Sequence, residues 1–207
     1  MHPPTVRAYG ARNTLRALEE LAVAPLSAPE LAARLAVSDP TARRILQRLR
    51  TEGYAARGDW HHRRYSATLR LAALARSLLD HSPLLHLAGP TLLALAEGGE
   101  ATLWVPGGAD TVLCVLRCPP GASEAQRMLG APVPSRSCAA GLALAAADAG
   151  AGVVVARREP PALAAPVVDQ GDVVAALALA PAFEAADRER VARAASTINA
   201  LLRDGVV

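Results

Sequence analysis

The sequence predicts an α+β chain in three parts: an N-terminal winged helix-turn-helix, a helical linker, and a C-terminal antiparallel sheet with flanking helices. Three observations predict it. Charge is segregated, with residues 1–66 carrying a net +5 and residues 67–207 a net −2. Capping and turn signals divide the basic part into three short helices and a hairpin. Beyond residue 98 the apolar pattern changes from helical spacing to short β-rich runs.

Bulk properties bound the function. A chain of 207 residues, 52% of them apolar, can bury one sizeable core or two modest ones. Three cysteines without paired spacing, and no N-terminal apolar h-region, point to a reducing, cytoplasmic setting and away from a disulfide scaffold. No apolar run approaches the ~20 residues of a membrane span. All 22 basic residues are arginine, and the absence of lysine carries no functional weight.

The elements follow in order. Leu15, Leu18, Leu21 and Ala22 recur at helical spacing behind Asn13 or Thr14 as a cap. Ser27 and Glu30 form the capping-box pattern S-x-x-E, opening a second helix that buries Leu31 and Leu35. After a tight turn Ser38 caps a third helix. Its early Pro40 sits where a missing N–H is harmless, and Ala42, Ile45, Leu46 and Leu49 share one face. Gly53 ends it. Tyr54 to Arg57 and Arg63 to Ser66 flank Gly58-Asp59-Trp60-His61-His62, a short hairpin with a basic second strand.

Between Val37 and Tyr65 the chain holds seven arginines. At 100° per residue, the helix face opposite the apolar stripe centres on Pro40, Arg44, Gln47 and Thr51, with Arg43, Arg48 and Arg50 on its flanks. Such a face fits a DNA major groove, where Arg bonds guanine and Gln adenine, while a basic wing meets phosphates or the adjacent minor groove. The expected DNA-binding residues are Ser38, Pro40, Thr41, Arg43, Arg44, Gln47, Arg48, His62, Arg63 and Arg64. Arg44 and Gln47 are expected at base edges, and Arg43, Arg48, Arg63 and Arg64 at phosphates.

Leu71, Leu74 and Leu78 have the spacing of a helix seam, and Leu92 and Leu95 extend an apolar face past Pro90, where a kink is expected. This segment joins the domains and pairs subunits. Ala101 to Val105 and Thr111 to Cys118 read as antiparallel strands around a Pro106-to-Asp110 turn. Ala139 to Ala147 reads as a small-residue helix, and Ala165 to Val168 and Val173 to Ala180 as strands around Asp169-Gln-Gly-Asp172. Asp187 to Leu202 closes the chain as an amphipathic helix, with Val191, Ala194, Ala195, Ile198, Leu201 and Leu202 on its apolar face.

The wording of LSAPELAARLAVSDPTARRILQRLRTEGYAARG, followed by RRYSATLRLAALA, resembles the winged-helix domain and linker helix of the IclR family of bacterial transcriptional regulators. AGPTLLALAEGGEATLWVPGGADTVLCVLRC, GAPVPSRSCAAGLALAA and LAAPVVDQGDVVAALALA resemble that family's later segments, so the likeness spans nearly the whole chain. It implies a GAF-like C-terminal domain and the boundaries 1–67 for the winged helix, 68–98 for the linker and 99–207 for the effector-binding or oligomerisation domain. It also implies a repressor. The chain departs from the family near 148–164, where DAGAGVVVARREPPALA stands for a longer helical insertion that supplies much of the effector pocket wall. Leu142 replaces the family's lysine after the helix glycine.

Two consequences follow for the C-terminal part. A reduced, apolar pocket lined by Leu103, Trp104, Met128 and Leu129, with Cys138 and Ala139 at the helix start, is the candidate effector site. The alternative is a domain that serves only oligomerisation or a protein partner. Cys138, following Ser135 and Ser137 and beside Arg136 at a helix N-terminus, is also a candidate thiol redox sensor. Cys114 and Cys118 lie four apart, and His61, His62, His81 and His86 complete no metal-ligand spacing, so no metal is expected. No nucleophile motif, P-loop or H-E-x-x-H is present; no catalytic residue and no cofactor are expected. The expected function is therefore a sequence-specific DNA-binding regulator. Its partners are a pseudo-palindromic duplex operator, further copies of itself as a homodimer or homotetramer, and a small-molecule effector, with no membrane.

Overall fold

The computed structural model describes residues 6–58, 64–108, 110–146, 155–158, 161–182 and 185–205. The chain divides into two compact units, Met1–Arg76 and Ser77–Val207.

In the first unit, α1 (Val6–Val23), α2 (Ala28–Leu35) and α3 (Asp39–Thr51) precede the hairpin β1 (Ala55–Arg57) and β2 (Tyr65–Ala67). The capping box at α2 forms fully, with the Ser27 side chain accepting from the Glu30 N–H and the Glu30 carboxylate accepting from the Ser27 N–H at 2.8 Å. Helix α2 ends on Ala36 at φ 54°, whose N–H and that of Val37 return to Ala33 and Ala32 carbonyls. Helix α3 ends likewise, with Gly53 at φ +76° and the Tyr54 N–H reaching the Leu49 carbonyl at 2.8 Å. The core of this unit is Ala17, Leu21, Leu26, Leu31, Leu35, Ala42, Ile45, Leu46, Leu49 and Ala55 with their neighbours. All four apolar positions expected on α3 are in it.

Helix α1 differs from its expectation. It starts at Val6 rather than near Asn13, since Gly10 alone does not stop it, and Asn13 lies buried in mid-helix. Its packing face runs Asn13, Ala17, Leu21. Leu15 is 63% exposed and Ala22 is exposed. The small side chain of Ala17 lets the helix approach its neighbours, and that choice of face turns Leu15, 200° away, to solvent.

Helix α4 (Arg70–Asp80) crosses the boundary between the units and buries no residue. In the second unit α5 (Pro83–Leu95) begins with Ser82 as cap and Pro83 in its first turn, and it continues through Pro90. Pro90, where a kink is expected, lies inside α5, and the linker is also interrupted between α4 and α5 at residues 81–82. Then come β3 (Glu100–Pro106), β4 (Thr111–Cys118), β5 (Gln126–Arg127), β6 (Val133–Pro134), α6 (Ala139–Ala145), β7 (Val155–Arg158), β8 (Pro161–Asp169), β9 (Asp172–Ala180) and α7 (Ala185–Arg203). Among the described residues the antiparallel sheet has the order β5-β4-β3-β9-β8-β7, with β6 also on β4. Gln170 at φ 50° and Gly171 at φ 95° make the tight β8–β9 turn, as the Asp-Gln-Gly-Asp signal predicts.

The sheet has two dissimilar faces. One packs Leu103, Leu116, Leu177 and Leu179 against Leu85, Leu92 and Leu95 of α5 and Val191, Ala195 and Ile198 of α7. The other packs Ala164, Ala176 and Ala178 against Ala139, Ala140 and Ala143 of α6. Strand β7 falls within the segment read as shortened near 148–164, a stretch with no element assigned from sequence, while residues 147–154 and 159–160 lie outside the described residues. Asn199, on the buried side of α7 and 4% exposed, was not marked by the apolar pattern. Its Oδ1 accepts the Val168 N–H at 2.8 Å, where the β8–β9 register shifts.

Candidate nucleic-acid interface

Helix α3 presents its N-terminal turn and one long face outward. The Ser38 carbonyl accepts the Thr41 and Ala42 N–H groups at 2.9 and 3.0 Å. The Ser38 side chain does not cap; its Oγ pairs with Thr41 Oγ1 at 2.9 Å, leaving both hydroxyls beside exposed Pro40. Gln47, Arg44 and Arg48 are exposed on the same helix.

The arginines divide by what already holds them. Arg43 donates from Nε to Asp39 Oδ2 at 2.8 Å. Arg64 donates to the Pro25 carbonyl at 3.1 Å and ion-pairs with Glu30. Arg44 and Arg48 make no ion pair among the described residues. With Thr41 they line a groove of about 790 Å³ between α3 and α1, bounded by Gly10, Ala11, Asn13, Thr14, Leu15 and Ile45. Among the described residues no carboxylate lines it. Two unneutralised guanidiniums over a wall of amide, hydroxyl and apolar groups can meet a sugar-phosphate chain. His62 and Arg63 lie outside the described residues.

Glu30 organises the opposite flank. One carboxylate oxygen takes the Ser27 N–H and hydroxyl, each at 2.8 Å, and the other takes Arg64. The Ser27 backbone and hydroxyl bonds, with Arg64 behind them, hold its carboxyl below the ordinary glutamate value.

The residues expected to line an effector pocket do not converge. Leu103 is fully buried on the α5/α7 face, whereas Trp104, one residue on, points to the α6 face and donates from its indole to Thr102 Oγ1 at 2.8 Å. The alternation of a strand separates them. Met128 lies against the Cys114 sulfur at 3.9 Å, and Leu129 is 57% exposed. Ala139 belongs to the alanine layer under α6. Cys138 is the N-cap of α6, its Sγ accepting the Gly141 N–H at 3.4 Å.

The cavity beside α6 is instead lined by Asp110, Pro134, Ser135, Arg136, Gly141, Leu142 and Ala145, with a volume of about 260 Å³. Gly141 exists there by necessity, since a Cβ on it would stand 2.0 Å from the Ser135 carbonyl oxygen. A lone glycine inside an alanine-rich helix was the signal for that close approach. Burial pushes the Cys114 thiol up to about 11 and raises Cys118 as well. Among the described residues no group of three or more His, Cys, Asp or Glu could hold a metal ion.

A MarR family model matches residues 11–64, the winged-helix part. No curated protein sequence matches the chain. Solved structures match it from end to end. An IclR family transcriptional regulator from Brucella abortus aligns over 97% of this chain and 95% of its own, at 14% identity and a TM-score of 0.77. An IclR transcriptional regulator from Alicyclobacillus acidocaldarius aligns over 97% and 100%, at 20% identity and a TM-score of 0.59. An IclR homologue from Microbacterium hydrocarbonoxydans, complexed with 4-hydroxybenzoate, aligns over 94% and 99%, at 20% identity and a TM-score of 0.58. The chain thus has the fold of these regulators, a winged helix followed by helices and an antiparallel sheet.

Proposed function

We propose that this protein is a sequence-specific DNA-binding transcriptional regulator that acts as a repressor. The observation that carries the reading is the outward face of α3, where Arg44 and Arg48, without an ion pair among the described residues, stand beside exposed Gln47 and the Ser38–Thr41 hydroxyl pair. Its fold, shared with solved IclR regulators, supports the same reading. In a major groove Arg44 and Gln47 reach base edges, while Arg48 and Thr41 meet the backbone wall.

The functional division is a winged helix over 1–67, a linker over 68–98 and a C-terminal domain over 99–207. Two copies pair through the linker, which brings two α3 helices to successive major grooves of a pseudo-palindrome. The exposure of Leu74 (46%) and Leu78 (74%) on a helix that buries nothing supports this pairing. Occupation of the operator excludes polymerase, which gives the repressor sign.

For the C-terminal domain, modulation by a small anionic effector is supported by Arg136 at the cavity beside α6 and by the 4-hydroxybenzoate bound to one solved homologue. The alanine-on-alanine packing of α6 favours the second reading, a domain devoted to assembly.

Selection of duplexes from a random library by the full-length protein, followed by titration at several salt concentrations, tests the proposal. One pseudo-palindromic site with log K falling steeply against log salt supports it. Weak binding without a preferred sequence overturns it.

A further inference from the structure

The C-terminal end of α3 is held by Thr68, two residues before α4, and by Arg70, the first residue of α4. The Glu52 carbonyl accepts from Arg70 Nη1 at 2.5 Å, the Gly53 carbonyl from Thr68 Oγ1 at 2.6 Å, and the Tyr54 carbonyl from the Thr68 N–H at 3.0 Å. Three consecutive carbonyls just past the end of α3 are thus satisfied by Thr68 and Arg70, at and just before the start of α4. The Arg70 guanidinium also lies 4.8 Å from the centroid of the Tyr54 ring. The fit is close: a Cβ on Gly53 would come within 3.0 Å of Arg70 Nη1.

Covalently, α3 reaches α4 only through the wing hairpin, β1 and β2. The cap short-circuits that path. It also places a cation at the negative end of the α3 dipole, where backbone carbonyls lack helical partners. Unlike Arg44 and Arg48, Arg70 is committed on two sides, to a carbonyl and to a ring.

We infer that Thr68 and Arg70 are positioning residues for DNA recognition: they lock the end of α3 to the start of α4, so that the recognition helix takes its tilt from the linker helix. The inference rests on the reading of α3 as the DNA-contacting helix. It names the joint through which any change in linker orientation reaches that helix, because α4 continues past the boundary of the first unit to Asp80.

The test compares full-length wild type with Arg70→Ala, Arg70→Lys and Thr68→Val. Each is titrated by fluorescence anisotropy, at several salt concentrations, against a duplex selected by the wild type and a scrambled duplex of equal length. Arg70→Ala is expected to lose roughly five- to twentyfold in affinity for the selected duplex, with scrambled binding and salt slope retained. Arg70→Lys regains part of this, since it restores the cation without the planar face. Thr68→Val keeps its backbone donor and side-chain shape and gives a smaller loss of the same sign, which covers the case of an Arg70 variant that does not fold.

Equal weakening on both duplexes, with a salt slope reduced by about 0.9, would make Arg70 a phosphate ligand and overturn the inference. A lowered melting midpoint with unchanged discrimination overturns it too. If the wild type selects no duplex, the DNA reading fails first. The cap is then tested by amide exchange at Gly53 and Tyr54: unchanged protection in Arg70→Ala overturns it, and faster exchange upholds the lock between the helices.

Discussion

Glu30 and Arg64, 34 residues apart in sequence, form an ion pair that joins the N-terminal cap of α2 to the base of the wing. One carboxylate therefore serves two purposes, completing the capping box and anchoring the second wing strand. The Arg64 bond to the Pro25 carbonyl and the bridge between Leu26 and Tyr65 reinforce the same junction.

That junction makes the winged helix acid-sensitive. Glu30 is held below its ordinary value of 4.5, first by the Ser27 backbone N–H, then by the Ser27 hydroxyl, with Arg64 adding to both. Because the folded value is depressed, the unfolded chain binds the proton more readily. The stabilisation is complete above 4.5 and is lost as pH falls through the lowered folded value. Urea unfolding followed over that window should show a falling midpoint in wild type and a flatter profile in Glu30→Gln. Parallel profiles would show that the carboxylate contributes nothing.

Ala36 ends α2 at φ 54°, ψ 45°, a left-handed conformation that costs a side-chain-bearing residue about 1 kcal/mol. The residue is exposed, so nothing but backbone geometry is at stake. Ala36→Gly should stabilise the protein by about 0.5 kcal/mol after the added unfolded-state entropy of glycine is subtracted. Ala36→Val should destabilise it, and by more. Chemical denaturation midpoints decide between the two signs.

Local chemistry made much of this architecture legible. The Ser27–Glu30 box, the α3 stripe Ala42, Ile45, Leu46 and Leu49, and the Asp169-to-Asp172 turn each encode their structure within a few residues. What escaped depends on partners distant in sequence. Arg64 reads as one more phosphate ligand until Glu30 is found beside it. Asn13 and Asn199 are polar residues on buried helix faces, which an apolar count skips. The strand alternation that puts Leu103 and Trp104, adjacent in β3, on opposite faces of the sheet was equally readable and was not applied to the effector set.

On DNA, Arg44, Arg48 and Arg64 should behave differently. Arg44→Ala should cost about 1–3 kcal/mol on the selected duplex and relax preference at one base pair. Arg48→Ala should weaken all sequences alike and reduce the salt slope by about 0.9. Arg64→Ala should also weaken all sequences, but with the slope nearly kept, because Glu30 already neutralises that guanidinium and few counterions are released when it binds. Anisotropy titrations over a salt series separate the three. An Arg64→Ala slope reduced as far as that of Arg48→Ala would place it on a phosphate.

Asn199 should prove indispensable to the second unit. Its amide oxygen is the acceptor for Val168 at a point where strand register shifts, and the side chain is buried. Asn199→Ala leaves that N–H unsatisfied and should cost about 1–3 kcal/mol. Asn199→Leu, similar in size but apolar, should not restore it. Thermal unfolding of both variants checks this; recovery by leucine would assign the effect to packing alone.

Cys114 should be chemically silent in the folded protein. It is 7% exposed, lies against Met128, and its thiol is pushed up to about 11, first by burial. At pH 8 that leaves about one thiolate in a thousand, and the thiolate is the reactive form. Iodoacetamide at pH 8, with peptide mapping, should leave Cys114 unmodified in buffer and label it readily in urea. Labelling in buffer at the rate seen in urea would mean that β4 opens at this position, and that the sheet edge carrying β5 and β6 is not closed over it.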